Sequence, residues 1–337
     1  MRLHSLWLLL VLAPIAGAQD RVQVVTTTAT LRSIVEAVGG DRVEVTSLAR
    51  GVEDPHFVVA TPTLMVKAAD ADLFVEIGMN LEIWSGNVID GSRNPRIRTG
   101  ANGRVIASRG VSSLEVPTQM TRAEGDLHPQ GNPHVWLDPM NGAVLAANVA
   151  EGLTRVDPAG KDHYAGRLRE FVARLDEAMF GKEVVELLGA EYVHRLQASG
   201  ELVTFLEQNE WEGKPLVERL GGWRKKMLPL RGSAWVGYHK TWPYLAAAFD
   251  LEFVEQLEPK PGISPTPSHL AHVRDVIRDR RVKAIFCETY FDFGKARGVA
   301  EEACVAAIRA PTEVGGDEQA TDYFRLFDRL TDLMTGS

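Results

Sequence analysis

Three of the nine histidines stand in similar local settings. His56 lies in Asp-Pro-His-Phe, His134 in Asn-Pro-His-Val-Trp, and His239 in Val-Gly-Tyr-His-Lys. Proline before His56 and His134 fixes the preceding backbone, which suits a rigid loop holding a ring in one orientation. Neutral imidazole is the commonest biological ligand of zinc, and three rings with one oxygen complete a tetrahedron. The three histidines therefore predict one metal site.

The other histidines and the cysteines do not suggest a second site. His269 and His272 lie three apart on a predicted helix beside arginines, which indicates a solvated face, and His163 and His194 stand among charged residues. The two cysteines, Cys287 and Cys304, form no CxxC motif, so a thiolate metal site is disfavoured. In an oxidising compartment they form either one disulfide or two free thiols, because sequence does not reveal the distance between them.

The elements that must position these side chains alternate between strands and helices. Strands are predicted at 22–27, 43–48, 72–76 and 104–107, with helices at 31–38 and 62–69, and a loop at 86–103. A second alternation begins near residue 234, with strands at 234–238, 251–256 and 282–287 and helices at 241–249, 268–280 and 295–308; the apolar stretch 306–310 runs into a final strand. This alternation predicts mainly parallel sheets, where ligands bind at the carboxyl ends of the strands.

Two further segments lie between these halves. Residues 141–154 and 159–179 have helical periodicity, so a long helix is expected to separate two lobes. Residues 182–231 predict short helices broken by glycines, packed on the outside of the second lobe, and no function is assigned to them. The expected domains are a signal peptide at 1–18, a first α/β lobe at 19–155, a linking helix at 156–181, and a second α/β lobe at 182–337 that contains this insertion.

Composition narrows the class of protein. A chain of 337 residues with 45% hydrophobic content is large enough for two cores. The net charge is −8 and the basic residues form no dense run, so neither nucleic acid nor an anionic membrane is expected as a partner. We expect a soluble monomer.

The first residues predict export. Arg2 precedes an apolar run from residue 6 to 15, and the small-residue sequence Ala16-Gly17-Ala18 follows. This is the pattern of a cleaved secretory signal peptide, and the run is too short to span a bilayer. No cysteine lies near the cleavage site, so no lipid anchor is expected. We expect a periplasmic protein.

Several motifs together resemble the zinc and manganese receptors of bacterial ABC importers. They are DPHFVVATPTLMVKAADADLF, GDLHPQGNPHVWLDP, YHKTWPYLAAAFDLEFVEQ and VGGDEQATDYFRLFDRLTDLM. The resemblance implies two Rossmann-like α/β lobes joined by one long helix, a metal ion in the cleft between them, and delivery to a membrane permease. It implies ligands at His56, His134 and His239, and a fourth at Glu313 in Ala-Pro-Thr-Glu-Val-Gly-Gly.

The sequence departs from this family in two places. Many zinc receptors carry a long His- and Asp-rich loop before the second ligand, whereas this chain offers only Asp126 and His128 there. The fourth ligand position holds glutamate where aspartate is common. Alternatives for the fourth ligand are Asp317, Glu288 and a water molecule. We assign coordination to Glu313, helix capping or solvation to Asp317, and the orientation of a ligand histidine to Glu288.

Three imidazoles and one carboxylate favour Zn²⁺ over Mn²⁺, which prefers more oxygen ligands, and a manganese receptor is the first alternative. A secreted zinc hydrolase is an alternative from another class, because three ligands and a water form the catalytic pattern. The chain has no HExxH, no Gly-x-Ser-x-Gly and no phosphate-binding glycine loop. A receptor for an organic solute such as a siderophore would leave the three histidines without a role. We therefore expect a binding protein and not an enzyme.

Overall fold

The computed structural model describes residues 21–117, 128–260 and 262–336. The first lobe contains a four-stranded parallel sheet of order β2-β1-β3-β4. Its strands are β1 (Val22–Thr26), β2 (Val43–Ser47), β3 (Leu73–Glu76) and β4 (Arg104–Ile106). Helices α1 (Ala29–Gly39), α2 (Pro62–Ala69), α3 (Ser85–Ser92) and α4 (Asn141–Val156) accompany it. All four residues of β3 are buried, as expected for a parallel strand covered on both faces.

The second lobe repeats this arrangement with a parallel sheet of order β10-β9-β7-β8. Its strands are β7 (Ala234–Gly237), β8 (Glu252–Gln256), β9 (Ala284–Glu288) and β10 (Ala306–Ala310). The helices that follow α9 (Gly222–Met227) are α10 (Pro243–Phe249), α11 (Pro267–Asp279), α12 (Phe293–Glu302) and α13 (Tyr323–Thr335). The predicted α/β class with two lobes is confirmed.

One long helix, α5 (Lys161–Phe180), connects the lobes. It packs against α1 and α4 of the first lobe and against α9 on the other side. Tyr164, Phe171 and Leu175 on its inner face are buried in the largest apolar core, which also includes side chains of the second lobe. The exact lobe boundaries at 155 and 181 stay predictions.

The segment after α5 forms short helices, as predicted. These are α6 (Lys182–Leu188), α7 (Ala190–Ala198) and α8 (Leu202–Gln208), followed by a hairpin of β5 (Glu210–Trp211) and β6 (Lys214–Pro215). Gly181, Gly189 and Gly200 lie at the breaks between the helices, and all three have positive φ. Glycine suits these positions because residues with a side chain rarely adopt positive φ. Apolar residues of the three helices belong to the largest core.

Three local predictions were wrong or are now decided. The predicted loop at 86–103 contains α3, because Val88 and Ile89 are buried and their packing outweighs the neighbouring glycines. The helix predicted to reach residue 308 ends at Glu302, and β10 follows. Cys287 is buried and Cys304 exposed, and both are free, so they form no disulfide.

Of the helices within the described residues, none is both long enough and apolar enough to cross a lipid bilayer. The predicted signal peptide and Asp126 lie outside the described residues.

Candidate metal centre

The three predicted histidines meet between the lobes. His56 lies in the loop between β2 and α2, His134 in the segment before α4, and His239 directly after β7. One candidate ligand nitrogen from each ring lies within 4.8 Å of the other two. The ring centroids of His56 and His134 are 5.1 Å apart, and each is 5.6 Å from that of His239. This spacing allows three rings to bind one ion.

Two of the rings are oriented by the same local motif. The Oδ1 atom of Asp54 accepts the backbone N–H of His56 at 3.0 Å and lies 2.8 Å from its Nδ1. Asn132 does the same for His134, at 3.0 Å and 2.9 Å. In both cases a proline, whose φ angle is fixed, separates the histidine from the Asp or Asn two residues earlier, and the side chain of that residue reaches the ring.

The third ring is oriented from a different strand. Glu258 follows β8, and its Oε2 lies 2.7 Å from Nδ1 of His239. The backbone N–H of Glu258 donates to the carbonyl of Tyr238 at 2.9 Å, which fixes the distance between the two segments.

These contacts determine which nitrogen is available for a metal. Carboxylate and amide oxygens only accept hydrogen bonds, so in the neutral form of each ring the proton lies on Nδ1 and Nε2 keeps a lone pair. The amide of Asn132 is itself oriented, because its Nδ2 donates to the carbonyl of Lys240 at 2.7 Å. Among the described residues, Nε2 of His56 and Nε2 of His134 are buried without a hydrogen-bond partner. Buried, unpaired Nε2 atoms are what a metal would satisfy.

Burial and nearby charges shift the pKa values of His134 and Asp54 in the directions that favour metal coordination. Burial, together with the positive charges that His56, His239 and His128 would carry, holds the pKa of His134 well below its ordinary 6.5. Burial alone would raise the pKa of Asp54, but its hydrogen bonds with the ring and backbone of His56, together with the charges of His56 and His239, outweigh that effect and lower the pKa. The result is a neutral ring at His134 and a charged carboxylate behind His56.

The predicted fourth ligand, Glu313, lies outside the compact group of three histidines. It is 2% exposed, and its Oε2 accepts the backbone N–H of Thr30 at 3.0 Å, near the start of α1. Its Oε1 is buried without a hydrogen-bond partner in the described part of the chain. Burial raises the pKa of Glu313 to about 7. One of its oxygens is therefore used to join the two lobes, and the other remains available.

The backbone around Glu313 closes tightly on the loop that carries His56. A Cβ atom at Gly51 would collide with the carbonyl oxygen of Val314, so only glycine fits there. The N–H of Val314 donates to Oγ1 of Thr30 at 3.1 Å. The two lobes are thus in direct contact beside the histidines.

The other acidic candidates differ from each other. Oδ1 of Asp317 accepts the backbone N–H groups of Gln319 and Ala320, each at 2.9 Å, and its Oδ2 accepts from Arg329 at 2.7 Å. Asp322, and not Asp317, caps α13, so the first of the two roles predicted for Asp317 is wrong, although Asp317 does accept free N–H groups. Glu288 is fully buried, both its oxygens lack a hydrogen-bond partner among the described side chains, and burial raises its pKa to about 8.

Sequence reasoning missed three residues of this centre and named a fourth only as part of the loop before His134. Asp54, Asn132 and Glu258 orient the rings, and the repeated Asx-Pro-His sequence was a readable signal for the first two. His128 is the fourth: its ring centroid lies 5.3 Å from that of His56. It lines a small cavity of about 20 Å³ with His56 and His239, large enough for one water-sized occupant.

Comparisons with known proteins match this chain to one family. Residues 24–179 and 220–336 match the model of a family described as ZnuA, zinc-uptake complex component A, periplasmic. The match leaves out residues 180–219, which contain α6, α7, α8 and the hairpin of β5 and β6.

Curated relatives carry names for different metals. The manganese ABC transporter substrate-binding lipoprotein PsaA of Streptococcus mitis is 26% identical over 166 residues, which cover 48% of this chain and 50% of that protein. The iron-binding protein YfeA of Yersinia pestis is 23% identical over 282 residues, covering 84% of this chain and 74% of that protein. The chain spans about half the length of the streptococcal relatives it matches.

Solved structures share the fold. A crystal structure of ZnuA superposes with a TM-score of 0.68 at 18% identity and covers 94% of this chain and 100% of that one. A Mn-bound periplasmic metal-binding protein from Candidatus Liberibacter asiaticus has a TM-score of 0.62 at 19% identity, covering 93% and 99%. At these identities the likeness concerns the fold alone.

Proposed function

The chain belongs to the family of the periplasmic zinc-uptake complex component A, and from that premise we propose that it is a metal receptor of an ABC importer. It binds one zinc ion between its lobes in the periplasm and delivers it to a membrane permease. It reaches that compartment through cleavage of the signal peptide predicted at 1–18.

One observation carries this proposal: three imidazoles each place a candidate ligand nitrogen within 4.8 Å of the other two, while each Nδ1 has a hydrogen-bond partner. Outer hydrogen bonds of this kind fix the tautomer of metal-binding histidines and increase their basicity. Relatives named as substrate-binding components support a receptor, and they give no support to the zinc-hydrolase alternative.

The choice of zinc rests on the donor set. The relatives are named for manganese, iron or zinc, so family membership alone does not select the ion. Imidazole suits zinc, whereas manganese favours carboxylate, carbonyl and water oxygens. A site with three nitrogen donors and one oxygen donor therefore supports zinc as the cargo, with manganese as the alternative.

For the fourth ligand we propose Oε1 of Glu313. A buried carboxylate is costly unless a cation or hydrogen bonds compensate it, and this oxygen has no hydrogen-bond partner in the described structure. A zinc ion would supply the missing positive charge. His128 is the competing donor, because its ring is as close to His56 as the rings of the other two histidines are.

The proposal is tested by elemental analysis of the chain purified from the periplasmic fraction, followed by calorimetric titration of the chelator-stripped protein with zinc and with manganese. We expect one zinc per chain and tighter binding of zinc than of manganese. His134→Ala is expected to abolish tight binding, whereas His272→Ala, which changes an exposed histidine, is the matched control. Two stoichiometric ions, loss of all metal on dialysis, or a preference for manganese would contradict the proposal.

The fourth ligand needs two variants titrated in parallel. Glu313→Gln keeps an acceptor for the N–H of Thr30 but removes the charge, and His128→Ala removes the competing ring. Weakened zinc binding in Glu313→Gln alone supports Glu313, and weakened binding in His128→Ala alone transfers the role to His128. No effect from either variant points to Glu288 or to water.

A further inference from the structure

A second cavity, of about 640 Å³, shares no lining residue with the small cavity at the histidines. Its walls are the loop after β4, the residues before and at the start of α4, helix α7, and helix α10. It therefore lies where both lobes meet the segment 180–219, which the family match leaves out. Its volume falls in the range typical of small-molecule pockets, about 300–1,000 Å³.

Two polar residues on the wall of this cavity, Asp138 and Gln197, present acceptor oxygens. Asp138 uses Oδ1 to accept the backbone N–H of Met140 at 2.9 Å, and among the described residues it forms no ion pair. Gln197 on α7 donates its Nε2 hydrogen to the carbonyl of Ala248 at 2.9 Å. Its Oε1 is buried and has no hydrogen-bond partner in the described part of the chain. Burial raises the pKa of Asp138 to about 6, which reflects the lack of a nearby compensating cation.

The wall also includes the polar residues Ser112, Asn141, His194, Ser199 and Tyr244. The ring of His194 is held by Asp176, with Nε2 2.5 Å from Oδ1. The hydroxyl of Tyr244 donates to the carbonyl of Asn132 at 3.0 Å and accepts the N–H of Leu114 at 3.1 Å. Much of the rest of the wall is apolar, with side chains such as Val111, Met140 and Val144. A ligand that fits this cavity thus needs an apolar body and a positively charged N–H donor.

We propose that this cavity is a second ligand site that binds a small organic cation, with its ammonium group at Asp138 and Gln197 and its apolar body between α4, α7 and α10. An anionic ligand would be repelled by Asp138, and a neutral one would leave that carboxylate without a cation. The segment 180–219 provides one wall, which includes Gln197, and the other walls lie within the regions that match the family.

The test uses the full exported chain, both zinc-loaded and chelator-stripped, titrated with phenethylamine, tryptamine, phenethyl alcohol and phenylacetate. A hydrogen bond to a charged group is stronger than one between neutral groups, so the amines are expected to bind about tenfold or more tightly than the alcohol, and phenylacetate not at all. Amine binding is expected in both metal states. A failure of this site is therefore distinguishable from a failure of the zinc site, which the zinc titration reports independently.

Two variants test the location. Asp138→Asn keeps the acceptor for Met140 and removes the charge, and Ala247→Trp fills the cavity from an exposed position on α10. Both are expected to lose amine binding at least tenfold while melting like the parent protein. Ala147→Trp, an exposed position on α4 outside this cavity, is the matched control. Absence of amine binding to the parent chain, tighter binding of phenylacetate, or unchanged binding in both variants would overturn the proposal.

Discussion

Replacing Asp54 tests whether the hydrogen bonds behind the histidines contribute to metal affinity. Its Oδ1 holds both the backbone N–H and Nδ1 of His56, and the two side chains are largely buried, with 17% and 7% of their surface exposed. In Asp54→Ala the ring of His56 loses its orientation and its preferred tautomer. Asp54→Asn keeps an acceptor oxygen in the arrangement that Asn132 already provides for His134.

The expected magnitude follows from this geometry. Removing an outer hydrogen-bond partner of a metal ligand typically weakens binding about 10–100-fold, which corresponds to about 1.4–2.7 kcal/mol. Because Asp54 also holds the backbone of His56, we expect Asp54→Ala in the upper half of that range. Asp54→Asn is expected to weaken zinc binding less than about tenfold, since the acceptor remains.

Competition with a zinc chelator of known affinity measures both variants, and melting curves of the metal-free proteins check that they fold. Asp90→Ala, which removes an exposed carboxylate on α3, controls for the change in net charge. Parental zinc affinity in Asp54→Ala would refute the argument that these contacts prepare the site. Equal losses in Asp54→Ala and Asp54→Asn would show that charge, and not orientation, is what matters.

Three further predictions concern pH, stability and export. Zinc affinity should fall from about pH 8 to about pH 5, because protonated imidazole does not coordinate, and a pH-independent affinity would contradict this. Burial also raises the pKa of Glu313 to about 7. Calorimetry in buffers of different ionisation enthalpy should therefore detect a proton released on zinc binding near neutral pH. Asp317→Ala should lower the free energy of unfolding by about 1 kcal/mol and leave zinc binding unchanged, because its oxygens bind backbone N–H groups and Arg329. Burial would raise the pKa of Asp317, but these hydrogen bonds lower it below 3.8. The contribution of Asp317 to the free energy of unfolding is therefore present above pH 3.8 and lost as the pH falls through the folded-state pKa. Denaturant curves of Asp317→Ala and the parent at several pH values measure this contribution, and equal stabilities of the two proteins would refute it. N-terminal sequencing of the periplasmic protein should begin at Gln19 or a near neighbour, and a protein that begins at Met1 would contradict export.

The local sequence pattern predicted where the strands of both sheets lie. The β-branched runs and helical periodicity placed the strands of both sheets within a few residues of their observed bounds. The predicted loop at 86–103 failed because α3 is stabilised by burial of Val88 and Ile89 against residues distant in sequence. Such packing is a property of the assembled lobe and not of the segment.

The same distinction applies to the metal centre. The three histidines were predicted from their settings, and the structure brings their ring nitrogens together. Glu258 could not be assigned to His239 from spacing, because their contact depends on how the segments after β7 and β8 lie side by side. The contact of Glu313 with Thr30 joins residues at opposite ends of the chain, so no local pattern indicated that one of its oxygens is already bound.

X-ray absorption at the zinc edge, on the protein loaded with one equivalent of zinc, tests the central claim most directly. The three histidines predict imidazole nitrogens at about 2.0–2.1 Å, and the proposed role of Glu313 predicts one oxygen at about 2.0–2.2 Å. The matched His272→Ala protein should give the same spectrum, and His134→Ala should lose one imidazole. A shell with fewer than three imidazoles in the parent protein, or with sulfur, would contradict the account.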